Sequence, residues 1–436
     1  MDTQWRLVSF VRRERSSEVA IRGNDRPSHG STGDLIVMLT ADIKVDRRIL
    51  LEADSLESRG WRVKIIAMSS GLNAPDDDGR ILRISADAES KRREFKILNF
   101  YILLRQCLPQ NGWLMQALKS IAWRWAIDQE TYFTNLFSNT ASSFSPAIFL
   151  AHDLPMLPVA RMHSQRCSAK LVYDSHELYS EQSFSAYVKT RWAQIEAKHI
   201  GACNSVITIN PSIAGELEHR YGIPKAHVIY NAERSGAMIQ RNRFFRKIFR
   251  LRDDDKIVLF QGGLSAGRKL ETLIEAMAHV RLPFVHLVIM GDGKLKTSLS
   301  RKIKRLGVSS RVHLHPAVPQ KALLAATAGA DAGVIPYQAT CLNNYYCTPN
   351  KLFEFIAAGI PILASDLPEI RRIIESHNIG MLADLSSAEK AARSIDHFFS
   401  DAQRFKFWQA QVEKARSVIC WEREGEKLVA IFEALR

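Results

Sequence analysis

The chain has 436 residues, enough for two domains of ordinary size, and its 46% hydrophobic and 24% charged residues are the balance of a soluble globular protein. A net charge of +14, from 60 basic against 46 acidic residues, asks for an anionic partner: nucleic acid, anionic lipid or a phosphorylated ligand. The six cysteines form no CxxC pair, which argues against a zinc site or a disulfide framework, and neither a signal-peptide core nor a run of about 18 apolar residues occurs, so a cytoplasmic location is expected.

Residues 1–33 are polar, rich in Arg, Ser and Gly, and without periodicity; a mobile tail is expected. Leu35-Ile-Val-Met-Leu39 reads as a strand. After a short loop to Asp46, a helix carries Ile49, Leu50, Ala53 and Leu56 on one face, Gly60 ends it, and Arg62–Ala67 reads as a second strand. Strand, helix, strand at this spacing is a right-handed parallel unit. No G-x-G-x-x-G follows the first strand, which counts against a dehydrogenase.

Residues 88–132 interleave Lys91, Arg92, Arg93, Lys96, Arg105, Lys119 and Arg124 with Phe95, Phe100, Tyr101, Trp113, Trp123 and Trp125. Such a segment can lie in the interface of an anionic membrane, or it can be a core helix with a basic outer face; both readings stand. Order returns with two apolar strands that end in polar groups, Ala147-Ile-Phe-Leu-Ala-His-Asp153 and Lys170-Leu-Val-Tyr-Asp-Ser-His-Glu177. Open α/β sheets place ligands at the C-terminal ends of their strands, so His152, Asp153, Asp174, His176 and Glu177 are site candidates, although a lone histidine is usually structural. Ser205–Ile209 and Val228–Asn231 are further strands.

A boundary is expected near 232–253, where Arg241, Arg243, Arg246, Lys247, Arg250 and Arg252 form a basic run without an acid. The α/β pattern restarts at Lys256-Ile-Val-Leu-Phe-Gln-Gly-Gly263. The loop Gly262–Lys269 then precedes a helix with Leu270, Leu273, Ile274 and Met277 on one face. Glycines let the backbone approach a ligand, and Arg268 and Lys269 can meet an anion, although the Walker spacing is missing. Strands follow at 286–290, 312–315 and 333–336. The stretch Pro349–Glu369 reads as a helix, a turn at Gly359, a buried strand Ile362–Ala364, and a further helix capped by Ser365-Asp366. Glu354 sits on the first of these helices, where a carboxylate is either a solvated face residue or part of a site.

The segments AHDLP, LVYDSHELYSE, SVITIN, VIYNA, VLFQGGLSAGRKLETLIEAM, VIMGDG, ADAGVIPY and PNKLFEFIAAGIPILASDLPE stand in the order seen in glycosyltransferase family 4, which the chain resembles over about residues 35–400. The resemblance implies a GT-B fold: α/β, two Rossmann-like domains with parallel sheets facing across a cleft. The domains would be an acceptor domain at 34–235 and a donor-nucleotide domain at 236–415, with a C-terminal helix at 416–436 crossing back to the first. It further implies retaining transfer from a nucleotide-diphosphate sugar, which is a substrate, so that no cofactor or metal is expected.

Carried over residue by residue, Glu354 matches the second glutamate of the family's E-x7-E motif, which binds the ribose hydroxyls. Arg268 and Lys269 match the basic residues that hold the donor diphosphate, and His152 the histidine that contacts the donor sugar, with Asp153 orienting the loop beside it. Gly263, Asn350 and Leu352 complete the expected nucleotide site, and His176, Glu177, Asn344 and Tyr346 the donor-sugar side. One departure concerns the motif's first glutamate, whose place is taken by Tyr346: it can supply no carboxylate, which shifts donor positioning toward Asn343 or Asn344.

The expected partners are a nucleotide sugar, a glycan or lipid-linked acceptor and an anionic membrane at the inner face of the cell, and no nucleic acid. The alternatives are a GT-B sugar-nucleotide epimerase, which would need carboxylates at both cleft walls, and a basic nucleic-acid-binding protein using 241–252 and 301–311, which would show steep salt dependence.

Overall fold

The computed structural model describes residues 34–69, 78–84, 129–235 and 239–436; the tail 1–33 and most of the basic-aromatic segment, 85–128, lie outside the described residues. The chain divides into two units. The first runs to Thr208 and takes in Ala214–His227 and Leu428–Arg436; the second comprises Ile209–Ile213 and Val228–Lys427. The C-terminal stretch forms two helices, Ala402–Arg416 and Trp421–Glu433, and the latter begins in the second unit and ends in the first.

The first unit is built on β1 (Leu35–Thr40), β2 (Arg62–Met68), β3 (Ile81–Ile84), β4 (Ile148–His152), β5 (Lys170–Ser175), β6 (Ser205–Thr208) and β7 (His227–Val228), in the order β3-β2-β1-β4-β5-β6-β7. Ile36 to Leu39 and Ile148 to Ala151 are wholly buried, as strands covered on both faces require. Helix α1 (Arg47–Glu57) links β1 to β2, and Asp46 caps it by accepting from the Arg48 amide at 2.8 Å. Its inner face holds Ile49, Leu51, Ala53 and Leu56, while Leu50, expected inside, is half-buried. Arg48 and Glu52, which an apolar pattern passes over, are buried as well.

The second unit repeats the design with β8 (Lys256–Gln261), β9 (Val285–Met290), β10 (Val312–His315), β11 (Ala332–Ile335), β12 (Ile362–Ser365) and β13 (Gly380–Ala383), in the order β10-β9-β8-β11-β12-β13. Its strands pair in parallel, as in β8 beside β9 and β11 beside β12. Helix α2 (Leu270–Ala276) follows β8, and α3 (Asn350–Ala357) precedes β12. A Cβ at Gly333 on β11 would stand 2.2 Å from the Phe355 ring, so only glycine lets α3 lie this close on the sheet. Gly359, at φ +70°, turns the chain out of α3 as the sequence predicts. The helix after β12, Pro368–His377, departs from expectation: its cap is Leu367, and Asp366 instead pairs with Arg371.

The basic run at 241–252 is not a free linker. Its helix Phe244–Phe249 buries Phe245, and Arg241 and Arg246 both hold Asp331, each at 2.7 Å. Arg243 pairs with Asp253 and Arg252 with Asp255, so part of the charge read as an open patch is spent internally. Among the described residues no helix is long and apolar enough to cross a membrane.

Candidate active site

In both sheets the strand order reverses once, between β1 and β4 and between β8 and β11, and the crevice outside the carboxyl ends of such strands is where open α/β sheets bind ligands. Each unit has a polar cluster at that point.

In the second unit, β8 ends in Gln261 and runs into the exposed turn Gly262-Gly263. The turn is pinned to the loop after β9: the Gly262 amide donates to Met290 O at 3.0 Å and the Leu264 amide to Asp292 O at 2.9 Å. A Cβ at Gly291 would stand 1.9 Å from Gly262 O, and one at Gly293 2.4 Å from Leu264 O, so the close approach requires both glycines. Over the turn lie two cations. Arg268 Nη1 and Lys351 Nζ donate to the same oxygen, the Tyr337 hydroxyl, at 2.8 and 2.7 Å. Lys351 is only 5% exposed, and its ammonium also sits over the rings of Phe260 (4.7 Å) and Tyr337 (4.6 Å). Among the described residues neither cation has a carboxylate partner. Two positive charges held beside a backbone turn without a counter-charge are suited to receive an anion.

Glu354 stands three residues after Lys351 on α3 and is half-buried. Its Oε2 accepts from Gln261 Nε2, and Gln261 Oε1 in turn accepts from the Thr327 hydroxyl at 2.8 Å. The other residues expected here are more scattered. The Lys269 ammonium reaches the Ser386 carbonyl at 3.4 Å rather than Tyr337. Leu352 is wholly buried in the core, and Asn350 is exposed, accepting from Asn231 Nδ2 at 3.1 Å. Tyr346 offers its carbonyl to Asn210 Nδ2 at 2.8 Å, and Asn344 Nδ2 donates to Thr340 at 2.6 Å. Lys351, Tyr337, Gln261 and Thr327 were not singled out by the sequence; only the strand-end position of Gln261 could have pointed to one of them.

In the first unit the cluster is a chain of alternating charge. Arg48 grips Asp174 with two hydrogen bonds, Nε to Oδ2 at 2.9 Å and Nη2 to Oδ1 at 3.0 Å, and its Nε lies 2.8 Å from Glu52. His176 Nε2 stands 2.9 Å from Asp174 Oδ2, and its Nδ1 lies 3.7 Å from Asp153 Oδ2. Burial works against the His176 charge, but Asp153 and Asp174 outweigh it and push the imidazole up to about 10. Burial lifts Asp153 to about 7 against the pull of His176, whereas Arg48 and His176 overcome burial and hold Asp174 well below the carboxylate range. Asp153 also takes φ 62°, ψ 161°, a backbone region that favours glycine.

His152, expected to touch the donor sugar, lies behind this chain. Its side chain is wholly covered, with Nδ1 3.2 Å from His176 Nε2 and Nε2 3.9 Å from Glu52, and burial lowers it to about 4. His176 and Asp153, with side chains 16% and 30% exposed, are the members that reach solvent. Glu177 accepts from Gln182 Nε2 at 2.5 Å. The ligand atoms of His152, Asp174 and His176 lie within 4.8 Å of one another, a spacing a metal could use. The donor set does not fit one: both Asp174 oxygens are committed to the Arg48 guanidinium, and a dication would have to sit beside that buried positive charge.

Residues 241–418 match the family model of glycosyl transferases group 1. The structure of HepE from Anabaena in complex with UDP-glucose superposes with a TM-score of 0.66 at 15% identity, covering 92% of this chain and 99% of that one. The fold is GT-B. An uncharacterized glycosyltransferase of Methanocaldococcus jannaschii is 26% identical over 263 residues, 58% of this chain and 62% of that protein. A lipopolysaccharide core biosynthesis glycosyltransferase of Rhizobium meliloti is 29% identical over 148 residues, 34% of this chain and 41% of that protein. The matched region thus spans less than two thirds of either relative. The solved structures thus show the fold, and the likeness in sequence to glycosyl transferases group 1 lies over residues 241–418.

Proposed function

We propose that the protein is a retaining glycosyltransferase of family 4 that moves a hexosyl group from a nucleotide-diphosphate sugar to a glycan or lipid-linked acceptor in bacterial surface polysaccharide assembly. One observation carries this reading. Helix α3 presents Lys351 and Glu354 one turn apart, with Arg268 joining Lys351 on Tyr337 and Gln261 joining Glu354. Three residues of helix rise about 4.5 Å, which suits a diphosphate and the ribose next to it. A donor nucleotide would lay its phosphates on the cations and its ribose hydroxyls on the carboxylate.

Breaking the sugar–phosphate bond leaves negative charge on the departing diphosphate, and Arg268 and Lys351 stand ready to take it without reorganising. Chemistry that a divalent cation supplies elsewhere would here come from side chains, so the transfer is proposed to be metal-independent. Retention would follow from front-face attack guided by the departing phosphate oxygen. In the first unit His176 and Asp153 are the polar groups open to a sugar, with His152 behind them. Attachment to an anionic membrane through the basic-aromatic segment at 91–125 belongs to the same proposal.

Mass spectrometry of reactions between a panel of nucleotide sugars and cell lipids tests it. The expected result is one lipid product heavier by a hexose, with release of the nucleoside diphosphate. A modified donor released without any acceptor product would favour the epimerase, and no turnover of any donor would overturn both.

A further inference from the structure

Gln261 is an amide with nowhere to go. It closes β8, is only 2% exposed, and has both ends of its side chain engaged. Its Oε1 accepts from the Thr327 hydroxyl, itself wholly buried. The Glu354 carboxylate can only accept, so Nε2 is the end of the amide that faces it and donates to Oε2, and Oε1 is left to the Thr327 hydroxyl. The hydroxyl has one proton, shared between Gln261 Oε1 and the Leu323 carbonyl of its own helix, each 2.8 Å away. Thr327, Gln261 and Glu354 therefore form one directed chain from a buried helix to a half-buried carboxylate.

A glutamate at the edge of a helix has three rotatable bonds and, in water, no reason to hold one orientation. Here one of its two oxygens is held by a group that cannot move without leaving a buried amide unpaired, which is costly. The other oxygen is left to face a ligand in a set direction. A carboxylate fixed in this way suits a pair of neighbouring hydroxyls, because geometry rather than charge then decides the gain.

We propose that Gln261, anchored by Thr327, is a positioning residue that sets the Glu354 carboxylate for the ribose hydroxyls of the donor, and that the relay is what makes the site prefer ribonucleotides over 2′-deoxyribonucleotides. This rests on the reading of Glu354 as the ribose-binding residue. The relay belongs wholly to the second unit, and it predicts an effect on sugar discrimination rather than on phosphate binding.

The test measures the affinities of the full-length protein for UDP and 2′-deoxy-UDP, with the GDP pair in parallel, by calorimetry. The wild type should bind the ribonucleotide of one pair at least 10-fold more tightly, and Glu354→Gln should bring that ratio near one. Gln261→Met keeps the length and burial of the side chain but removes the amide; the ratio should fall at least 5-fold, with the 2′-deoxy affinity nearly unchanged. Thr327→Val removes only the anchor hydroxyl and should lower the ratio by a smaller factor, about threefold. If Gln261→Met does not fold by its melting curve, Thr327→Val alone decides. A folded variant that keeps the wild-type ratio while Glu354→Gln loses it overturns the positioning role and leaves the ribose reading intact. A wild type without ribose preference, or without affinity for either diphosphate, overturns the ribose reading and the positioning role with it.

Discussion

The ammonium of Lys351 and the hydroxyl of Tyr337 lie 2.7 Å apart in a site where Lys351 is almost wholly buried. Among the described residues this buried cation is answered by a neutral oxygen and two aromatic rings rather than by a carboxylate, which is not optimised for stability, since charges inside proteins normally face an opposite charge. Arg268 donates to the same hydroxyl, so two positive groups share one partner. The arrangement becomes favourable when an anion arrives.

Lys351→Met should therefore weaken binding of a nucleoside diphosphate by about 1–3 kcal/mol, the worth of hydrogen bonds to charged groups. Binding of the parent nucleoside, which has no phosphate, should not change. The melting temperature should hold or rise, because an uncompensated buried charge is removed. Calorimetry with the diphosphate and the nucleoside, beside a thermal melt, reads all three. Equal losses for both ligands would make Lys351 a packing residue.

Arg268→Ala should lower kcat more than it lowers donor affinity. Its guanidinium is half-buried beside the exposed Gly262-Gly263 turn, and the charge it meets grows as the diphosphate departs. Steady-state kinetics with the donor identified by the nucleotide-sugar panel gives the split. A matching drop in affinity and turnover would mark it as a ground-state binding residue.

The architecture was readable because parallel strands covered on both faces leave unbroken apolar runs, as at Ile36–Leu39 and Ile362–Ala364, and because glycines such as Gly359 mark the turns. Candidate site residues could be named from the sequence only where a residue type stood in a telling place, as Glu354 and Arg268 did. Lys351, one residue past Asn350 in the first turn of a helix, looks like an ordinary solvated lysine; what folds it inward is Phe260 and Tyr337, distant in sequence. Arg48 was hidden for the same reason, since its partner Asp174 lies 126 positions away. His152 was named as a sugar contact, but its burial was not foreseen: nothing local announces that Glu52 and His176 stand against its ring. Contacts of this kind depend on chain crossings that a linear pattern does not encode.

The protein should bind anionic membranes reversibly. The segment 91–125 carries Lys91, Arg92, Arg93, Lys96, Arg105, Lys119 and Arg124 among aromatic residues. Each basic residue near an anionic surface is worth about 1 kcal/mol, so five to seven of them give reversible attachment. Screening over about 10 Å at 0.1 M salt should weaken it. Sedimentation with vesicles of graded anionic lipid content checks this, and protein that stays in the supernatant at low salt whatever the lipid charge would favour a soluble acceptor.

The charge chain of the first unit makes a prediction about pH. His176 has a folded value near 10 against about 6.5 unfolded, so its contribution to stability is complete below about 6.5 and is lost as pH rises through 10. Its neighbours act elsewhere on the scale. Asp153, raised to about 7, loses its contribution between about 4 and 7, and His152, lowered to about 4, opposes that loss over the same range. Asp174 and Glu52 are displaced in opposite directions, Asp174 far below its usual range and Glu52, through burial and the Asp174 charge, well above. Cys203 and Cys347, which burial raises to about 12, add a further loss only above pH 9. Between pH 7 and 9 His176 gives up stability as pH rises, and Glu52 and Glu196, both raised by burial, add to that loss wherever the folded carboxyl still holds its proton, so the His176 share is the difference between wild type and variant. Unfolding free energy from urea titrations should fall there, with up to about 1.4 kcal/mol per pH unit coming from His176, the limit for one proton. His176→Gln should be less stable at pH 7 and shallower than the wild type across that window by up to that amount. A wild-type profile that is level from pH 7 to 9, or an unchanged slope in the variant, would mean that His176 is not held as a cation between Asp153 and Asp174.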